Sequence, residues 1–162
     1  MTSGKTRRET LNSLQLALRW QTTRTVLFHS AVANRLGIAI TDLSCLNLLS
    51  MDGPRTPGQL AQDIGITRGG AVTAMIDRLE RAGYVARERD PADRRRVLVV
   101  ITGKAAQQVS PLFAGLGRAI GEELVGRDPE SLADLLDFVT ASTDALTHAT
   151  DSLRVPSALV DE

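Results

Sequence analysis

Two arginine-bearing runs have the residue types and spacing for chemistry. The first is Thr67-Arg68-Gly69-Gly70, with Thr73 three residues beyond. Arg68 can bond guanine O6 and N7 through its fork, or hold a phosphate. Gly69 and Gly70 each cost a helix roughly 1 kcal/mol relative to Ala, so a close approach of backbone to a ligand is one reason for them and a frayed first turn is the other. The second run is Asp93-Arg94-Arg95-Arg96, inside the turn-forming stretch Asp90-Pro91-Ala92-Asp93. Arginines on a slim loop can reach into a minor groove, whose negative potential attracts them. Catalytic and metal-binding patterns are missing. There is no GxSxG, Walker loop or HExxH, and Asp90 with Asp93 fits a turn better than an acid–base pair. The single cysteine, Cys45, and the distant histidines His29 and His148 offer no zinc spacing. The expectation is a protein that is not an enzyme and has neither metal nor cofactor.

The elements that must position these runs are legible from periodicity and from Gly and Pro. A long helix is expected from about Glu9 to Leu36, with Leu11, Leu14, Leu18, Phe28 and Val32 on one stripe and Gly37 at its end. The stripe lapses at Gln21 and Thr25, which marks either exposed surface or the lining of a small cavity. Thr41 and Asp42 are the cap candidates of a second helix carrying Leu43, Leu46, Leu48 and Leu49. Thr56 as N-cap and Pro57 at the first helical position open a short helix to about Ile64. Gly65 turns the chain, Thr67 caps again, and Val72, Met75, Ile76 and Leu79 form the next buried face. This is a helix-turn-helix pattern, which a plain helical hairpin also satisfies. Residues 84–89 and 96–101 then read as two strands joined by the arginine-bearing loop, which turns the pattern into a winged helix. Two further stripes follow: Ala106, Val109, Leu112, Phe113, Leu116, Ile120 and Leu124, then Leu132, Leu135, Leu136, Val139 and Leu146. Pro111 lies inside the first and should kink or interrupt it.

Composition narrows the class. The 162 residues are 43% apolar and 23% charged, enough to bury a core, and no run suits a membrane span. With a polar N-terminus and no apolar signal segment, the expected location is cytoplasmic. A net charge of zero hides a division: residues 1–121 hold 17 Lys+Arg and 9 Asp+Glu, whereas residues 122–162 hold 2 and 10. The basic part suits a polyanion. The acidic part keeps the chain's end away from it, or simply aids solubility.

Ile66 to Ala105, ITRGGAVTAMIDRLERAGYVARERDPADRRRVLVVITGKA, resembles the signature of MarR-type transcriptional regulators. The matching positions are Leu79, Glu80 and Gly83, the Asp93-x-Arg95 motif of the wing, Val97 to Ile101, and Thr102 before Gly103. The resemblance implies a mainly α fold with a small β-hairpin wing, a winged helix-turn-helix with N- and C-terminal dimerisation helices. It implies a homodimer holding two winged lobes over successive major grooves of double-stranded DNA with an inverted repeat. Residues 1–36 and 104–162 would be the helical dimerisation module and residues 37–103 the DNA-binding domain. Arg95 would be the residue in the minor groove, braced by an ion pair with Asp93, while Arg94 and Arg96 meet phosphate. Arg68, Gly69, Gly70 and Thr73 would face the major groove, with Thr56, Gln59 and Thr67 near the DNA backbone.

The resemblance also implies a repressor released by a small effector, aromatic or phenolic in many relatives. Trp20, Arg24, Thr25, Phe28 and His29 are the candidate lining. Arg24 would meet a carboxylate and Trp20 would stack on a ring, although dimer core is the plainer role for Trp20 and Phe28. Two alternatives stand: a helical protein-interaction module with an idle wing, and a redox-responsive regulator acting through Cys45. Cys45 lies in a leucine-rich helix without a neighbouring cation, which favours a buried structural thiol.

Overall fold

The computed structural model describes residues 6–66 and 70–154. The elements are α1 (Arg7–Leu36), α2 (Ile40–Asp52), α3 (Pro57–Ile64), α4 (Ala71–Arg81), β1 (Val85–Arg89), β2 (Val97–Ile101), α5 (Gly103–Val125) and α6 (Pro129–Arg154). The chain divides into two compact units, Met1–Leu112 and Phe113–Glu162. No helix among the described residues is long and apolar enough to cross a membrane.

Local chemistry explains most boundaries. α1 starts at Arg7, two residues before the expected Glu9, because Thr6 caps it. The Thr6 hydroxyl accepts the Glu9 N–H at 3.3 Å, and the Glu9 carboxylate accepts the Thr6 N–H at 2.7 Å. Gly37 ends the helix in the left-handed region, φ 67°. Only Val32 and Ala33 of α1 are buried, so its lapsed stripe is exposed surface in the single chain.

The expected caps of α2 are corrected. Ala39 occupies the N-cap in extended conformation, and Asp42, from the third helical position, accepts its N–H at 3.3 Å. Thr41 points outward, whereas Asp42 is drawn inside by Arg78, whose Nη2 lies 2.6 Å from its Oδ1.

Thr56 and Pro57 open α3 as anticipated, and Gly65, φ 80°, closes it with N–H bonds from Gly65 and Ile66 to the Ala61 carbonyl at 3.0 and 2.8 Å. α4 starts at Ala71 with Gly70 as N-cap. The expected Thr67 cap lies outside the described residues.

β1 and β2 pair antiparallel, with Val85 opposite Ile101, Arg87 opposite Val99 and Arg89 opposite Val97. Arg55 adds a third pairing: its N–H donates to the Val99 carbonyl at 3.2 Å and its carbonyl accepts the Val99 N–H at 2.7 Å. The physical cause is Pro57, which keeps the residue before it, Thr56, extended (ψ 155°) and leads the chain along the sheet edge. Leu43, Leu46 and Leu49 of α2, Leu60 of α3, Met75, Ile76 and Leu79 of α4, and Val99 fill one core.

Thr102 opens α5, accepting the Ala105 N–H at 3.4 Å and donating to the Gly83 carbonyl at 2.7 Å. One detail differs from expectation: Ala105, not Ala106, is the buried alanine. Pro111 lies inside α5, which runs on to Val125. α6 is capped by Asp128, which accepts the Ser131 N–H at 2.9 Å and its hydroxyl at 2.7 Å; both bonds hold the Asp128 carboxyl below its ordinary pKa. No α6 residue is buried.

Candidate nucleic-acid interface

The loop between β1 and β2 is built by its aspartates. Asp90 Oδ1 accepts the Ala92 N–H at 2.8 Å, and Asp93 Oδ1 accepts the Arg95 N–H at 3.1 Å. Such carboxylate bonds to an N–H two residues on define the turn without other elements. Asp90 N–H donates to the Arg96 carbonyl at 3.1 Å, Arg96 N–H to the Asp93 carbonyl at 2.9 Å, and the Arg89 guanidinium to the Arg94 carbonyl at 3.0 Å. Asp93, Arg94, Arg95 and Arg96 are all exposed on this tied loop. The expected Asp93–Arg95 ion pair is not present among the described residues. Asp93 reaches the backbone of Arg95 instead, because the turn brings that N–H within range first. The loop's ion pair is Arg96 with the buried Asp90, at 3.7 Å.

On α4, Val72, Met75, Ile76 and Leu79 are buried and Thr73 is exposed on the other side, as the helical period requires. Gly70 precedes them at φ −85°, a conformation open to any residue, and an added Cβ would meet nothing within 4 Å. Neither strain nor crowding inside the chain calls for glycine there. Thr67, Arg68 and Gly69 lie outside the described residues. At the start of α3, the Thr56 hydroxyl accepts the Gln59 N–H at 3.3 Å, and Gln59 Oε1 accepts the Thr56 N–H and hydroxyl at 2.9 and 3.0 Å. Both predicted residues are therefore capping residues.

Three arginines that the sequence leaves in the general basic count hold the helix and wing in place. Arg78 ties α4 to α2 through Asp42. Arg87 of β1 pairs with Asp77 of α4 at 2.6 Å and also with Glu80. Arg55 pairs with Asp52 at 2.8 Å and Asp63 at 3.2 Å. The hydrogen bond to Asp42 raises the pKa of Arg78, and that to Asp77 raises the pKa of Arg87. Lys104 Nζ adds a bond to the Ala82 carbonyl at the end of α4, 2.6 Å. Pairings such as Arg78–Asp42 span 36 residues, so no local pattern in the sequence signals them.

The α1 group is strung along one helix. Trp20 is 56% exposed, with the Arg24 guanidinium 5.6 Å from its ring centroid. The Thr25 hydroxyl donates to the Gln21 carbonyl at 2.9 Å, and His29 Nδ1 lies 2.8 Å from the Thr25 carbonyl oxygen. Phe28 and His29 meet edge to face at 6.0 Å. A groove of about 260 Å³ beside them is lined by Leu16, Arg19, Trp20 and Thr23, and so takes in Trp20 alone of the predicted set. Cys45 is fully buried, and burial, with the Asp42 charge second, pushes its thiol up to about 12. Burial and a raised pKa both disfavour the thiolate, so the surroundings of Cys45 suit a structural thiol better than a redox sensor.

A helix-turn-helix packed on an arginine-tipped two-stranded ribbon defines the class: a winged helix-turn-helix DNA-binding protein. Residues 38–97 match the MarR family. The chain is 40% identical over 132 residues, 82% of its own length and 85% of the relative's, to the Bacillus subtilis (strain 168) protein named "Uncharacterized HTH-type transcriptional regulator YcgE". It is 32% identical over 114 residues, 70% and 76% of the two chains, to the Mycobacterium leprae (strain TN) protein named "Uncharacterized HTH-type transcriptional regulator ML2140". In fold it is similar to a MarR family protein of Bacillus stearothermophilus, with TM-score 0.63, 20% identity, and 88% and 99% of the two chains covered. This chain belongs to the MarR family of HTH-type transcriptional regulators, which are not enzymes.

Proposed function

We propose that the protein is a cytoplasmic, homodimeric repressor that reads an inverted repeat in double-stranded DNA. Residues 1–36 and 104–162 form the dimerisation module and residues 37–103 the DNA-binding domain. Arg68, Gly69, Gly70 and Thr73 face the major groove, Thr67 lies near the DNA backbone, Arg95 enters the minor groove, and Arg94 and Arg96 meet phosphate. Asp93 keeps the wing loop in shape, while Thr56 and Gln59 bring the α3 N-terminus to the DNA backbone, where its dipole favours phosphate. The observation that carries the reading is the aspartate-tied loop, which leaves Arg94 and Arg95 exposed at the tip of the ribbon. Homodimerisation is supported by apolar side chains open to solvent on α6, among them Leu136 (66% exposed), Val139 and Leu146.

Selection from a random duplex pool at two salt concentrations tests this. The expected result is an inverted repeat with half-sites about one helical turn apart, roughly 10 bp centre to centre. Retention of no sequence, or weak binding that salt abolishes, would favour a helical protein-interaction module instead. On the selected duplex, Arg95→Ala is expected to cost at least about 1 kcal/mol of affinity while the melting temperature stays unchanged.

We further propose release by a small aromatic or phenolic acid, held by Trp20, Arg24, Thr25, Phe28 and His29. The stacked Trp20–Arg24 pair supports it, since ring and guanidinium together suit an aromatic carboxylate. Benzoate should quench the tryptophan emission and release the duplex. Release without quenching would move the site elsewhere.

A further inference from the structure

We infer that Arg55 and Arg87 form a clamp on the base of the wing that sets its angle to the helices, Arg87 through α4 and Arg55 through α2 and α3, making both of them positioning residues for DNA sequence preference. The inference rests on the proposal that the wing reads DNA through Arg95.

The two arginines sit on one rung of the sheet. Arg87 is opposite Val99 across the β1–β2 ladder, and Arg55 is opposite the same Val99 on its other side. Residues side by side on neighbouring strands project from the same face, and Val99 is fully buried. Both arginines therefore leave the sheet on the side that packs against the helices. Each guanidinium then divides its two arms between two carboxylates. Arg87 Nη2 lies 2.6 Å from Asp77 while Nη1 meets Glu80, both on α4. Arg55 Nη2 lies 2.8 Å from Asp52 at the end of α2, and Nη1 lies 3.2 Å from Asp63 in α3. The Arg87 N–H donates to Glu80 Oε1 at 3.2 Å, so backbone and side chain of one residue are both held by α4.

Magnitude argues for geometry over stability. The Arg87 and Arg55 side chains are 29% and 27% exposed and their partners 30–49%, a range in which ion pairs add little to folding. A fork held by two fixed acceptors nevertheless defines direction, because the guanidinium is planar and rigid. Direction matters at this rung. Outward from it Glu88, Arg89 and Val97 are exposed, and an isolated two-stranded ribbon is marginal by itself. Every residue beyond the rung adds about 3.3 Å of lever, so a small rotation at Arg87 carries Arg95 along or out of a groove.

The test uses the full-length protein and the duplex recovered by selection, in two forms: with its selected flanks and with those flanks made G·C-rich. Arg87→Met is expected to weaken binding about five- to tenfold in the wild-type background and no more than about twofold when Arg95→Ala is already present. It should also shrink the preference between the two flanks while mutations in the half-site core cost as much as before. Arg87→Lys, which can engage one carboxylate at a time, should recover part of the loss. Should Arg87→Met fail to fold, the double variant Asp77→Asn, Glu80→Gln opens the same clamp and is expected to behave alike. Equal losses in both backgrounds, or an unchanged flank preference, would overturn the clamp. Loss of the Arg95→Ala effect itself would instead overturn the reading of the wing, so the two failures are distinguishable.

Discussion

α2 and α6 are both leucine-rich helices, yet their leucines have opposite fates. In α2, Leu43, Leu46 and Leu49 are at most 2% exposed, because α3, α4 and β2 of the same chain close over them. In α6, Leu132, Leu136 and Leu146 are 37%, 66% and 61% exposed, and no residue of the helix is buried. The difference teaches that a helical stripe specifies a face to be covered and leaves open what covers it. In the winged lobe the cover is internal, so its stability is a property of one chain. For α6 the proposed cover is a second copy, which makes stability depend on protein concentration.

The largest expected effect separates the two directly. Leu46→Ala should destabilise the lobe by about 2–5 kcal/mol through loss of buried contacts and the cavity left behind, at any protein concentration. Leu136→Arg should leave the lobe's core intact but shift sedimentation to the monomer and abolish binding to the inverted repeat. A Leu136→Arg protein that still sediments as a dimer would break the comparison.

Asp42 carries it to polar groups. Its carboxylate, 3% exposed, accepts from the Ala39 N–H and from Arg78. Asp42→Ala removes both the α2 cap bond and the α2–α4 bridge to Arg78, with an expected loss of about 1–3 kcal/mol in denaturant titrations. Unchanged stability would mean that water replaces the carboxylate.

Cys45 sharpens it through pH. Its thiol is raised from 9.0 to about 12 in the folded chain, so above pH 9 the unfolded chain loses a proton that the folded one keeps. Stability is full below pH 9 and falls as pH rises towards 12, by about 1.4 kcal/mol per pH unit at most. The difference in slope between the wild type and Cys45→Ala measures it. Parallel curves would show that the thiol is reached by solvent.

The smallest effect lies where the two regions are alike, at their helix caps. Thr56→Ala should cost about 1 kcal/mol, read as a modest drop in melting temperature. Asp128→Ala should also lower it, since Asp128 caps α6 with the same kind of side-chain bond to a backbone N–H.

Much of this was legible in advance, for local reasons. Thr56 and Pro57 open α3, Gly37 and Gly65 close α1 and α3 in the left-handed region, and the β-branched run 97–101 marks a strand, because caps, positive φ and side-chain branching act on neighbours in sequence. The arginine-bearing turn was equally readable, since Asp90 and Asp93 bond N–H groups two residues away. Other details were not legible. Asp42 caps α2 from the third helical position with Ala39 as N-cap, and it also meets Arg78, 36 residues away, which no local pattern signals. Asp93 looked like an ion-pair partner for Arg95, but the nearer N–H takes its carboxylate.

The sequence by itself determined the element order, the glycine-marked ends of α1 and α3, most of the apolar faces and the placement of three consecutive arginines on a hairpin loop. Each of those follows from interactions within a few residues. Tertiary structure alone decided which arginines remain available. Arg78 and Arg87 are held by carboxylates on other elements, and Arg55 by Asp63 of α3 beside its near neighbour Asp52, whereas Arg94 and Arg95 stay exposed. The physical reason is that an ion pair depends on distance in space, and distance in space between remote residues exists only once the core has closed.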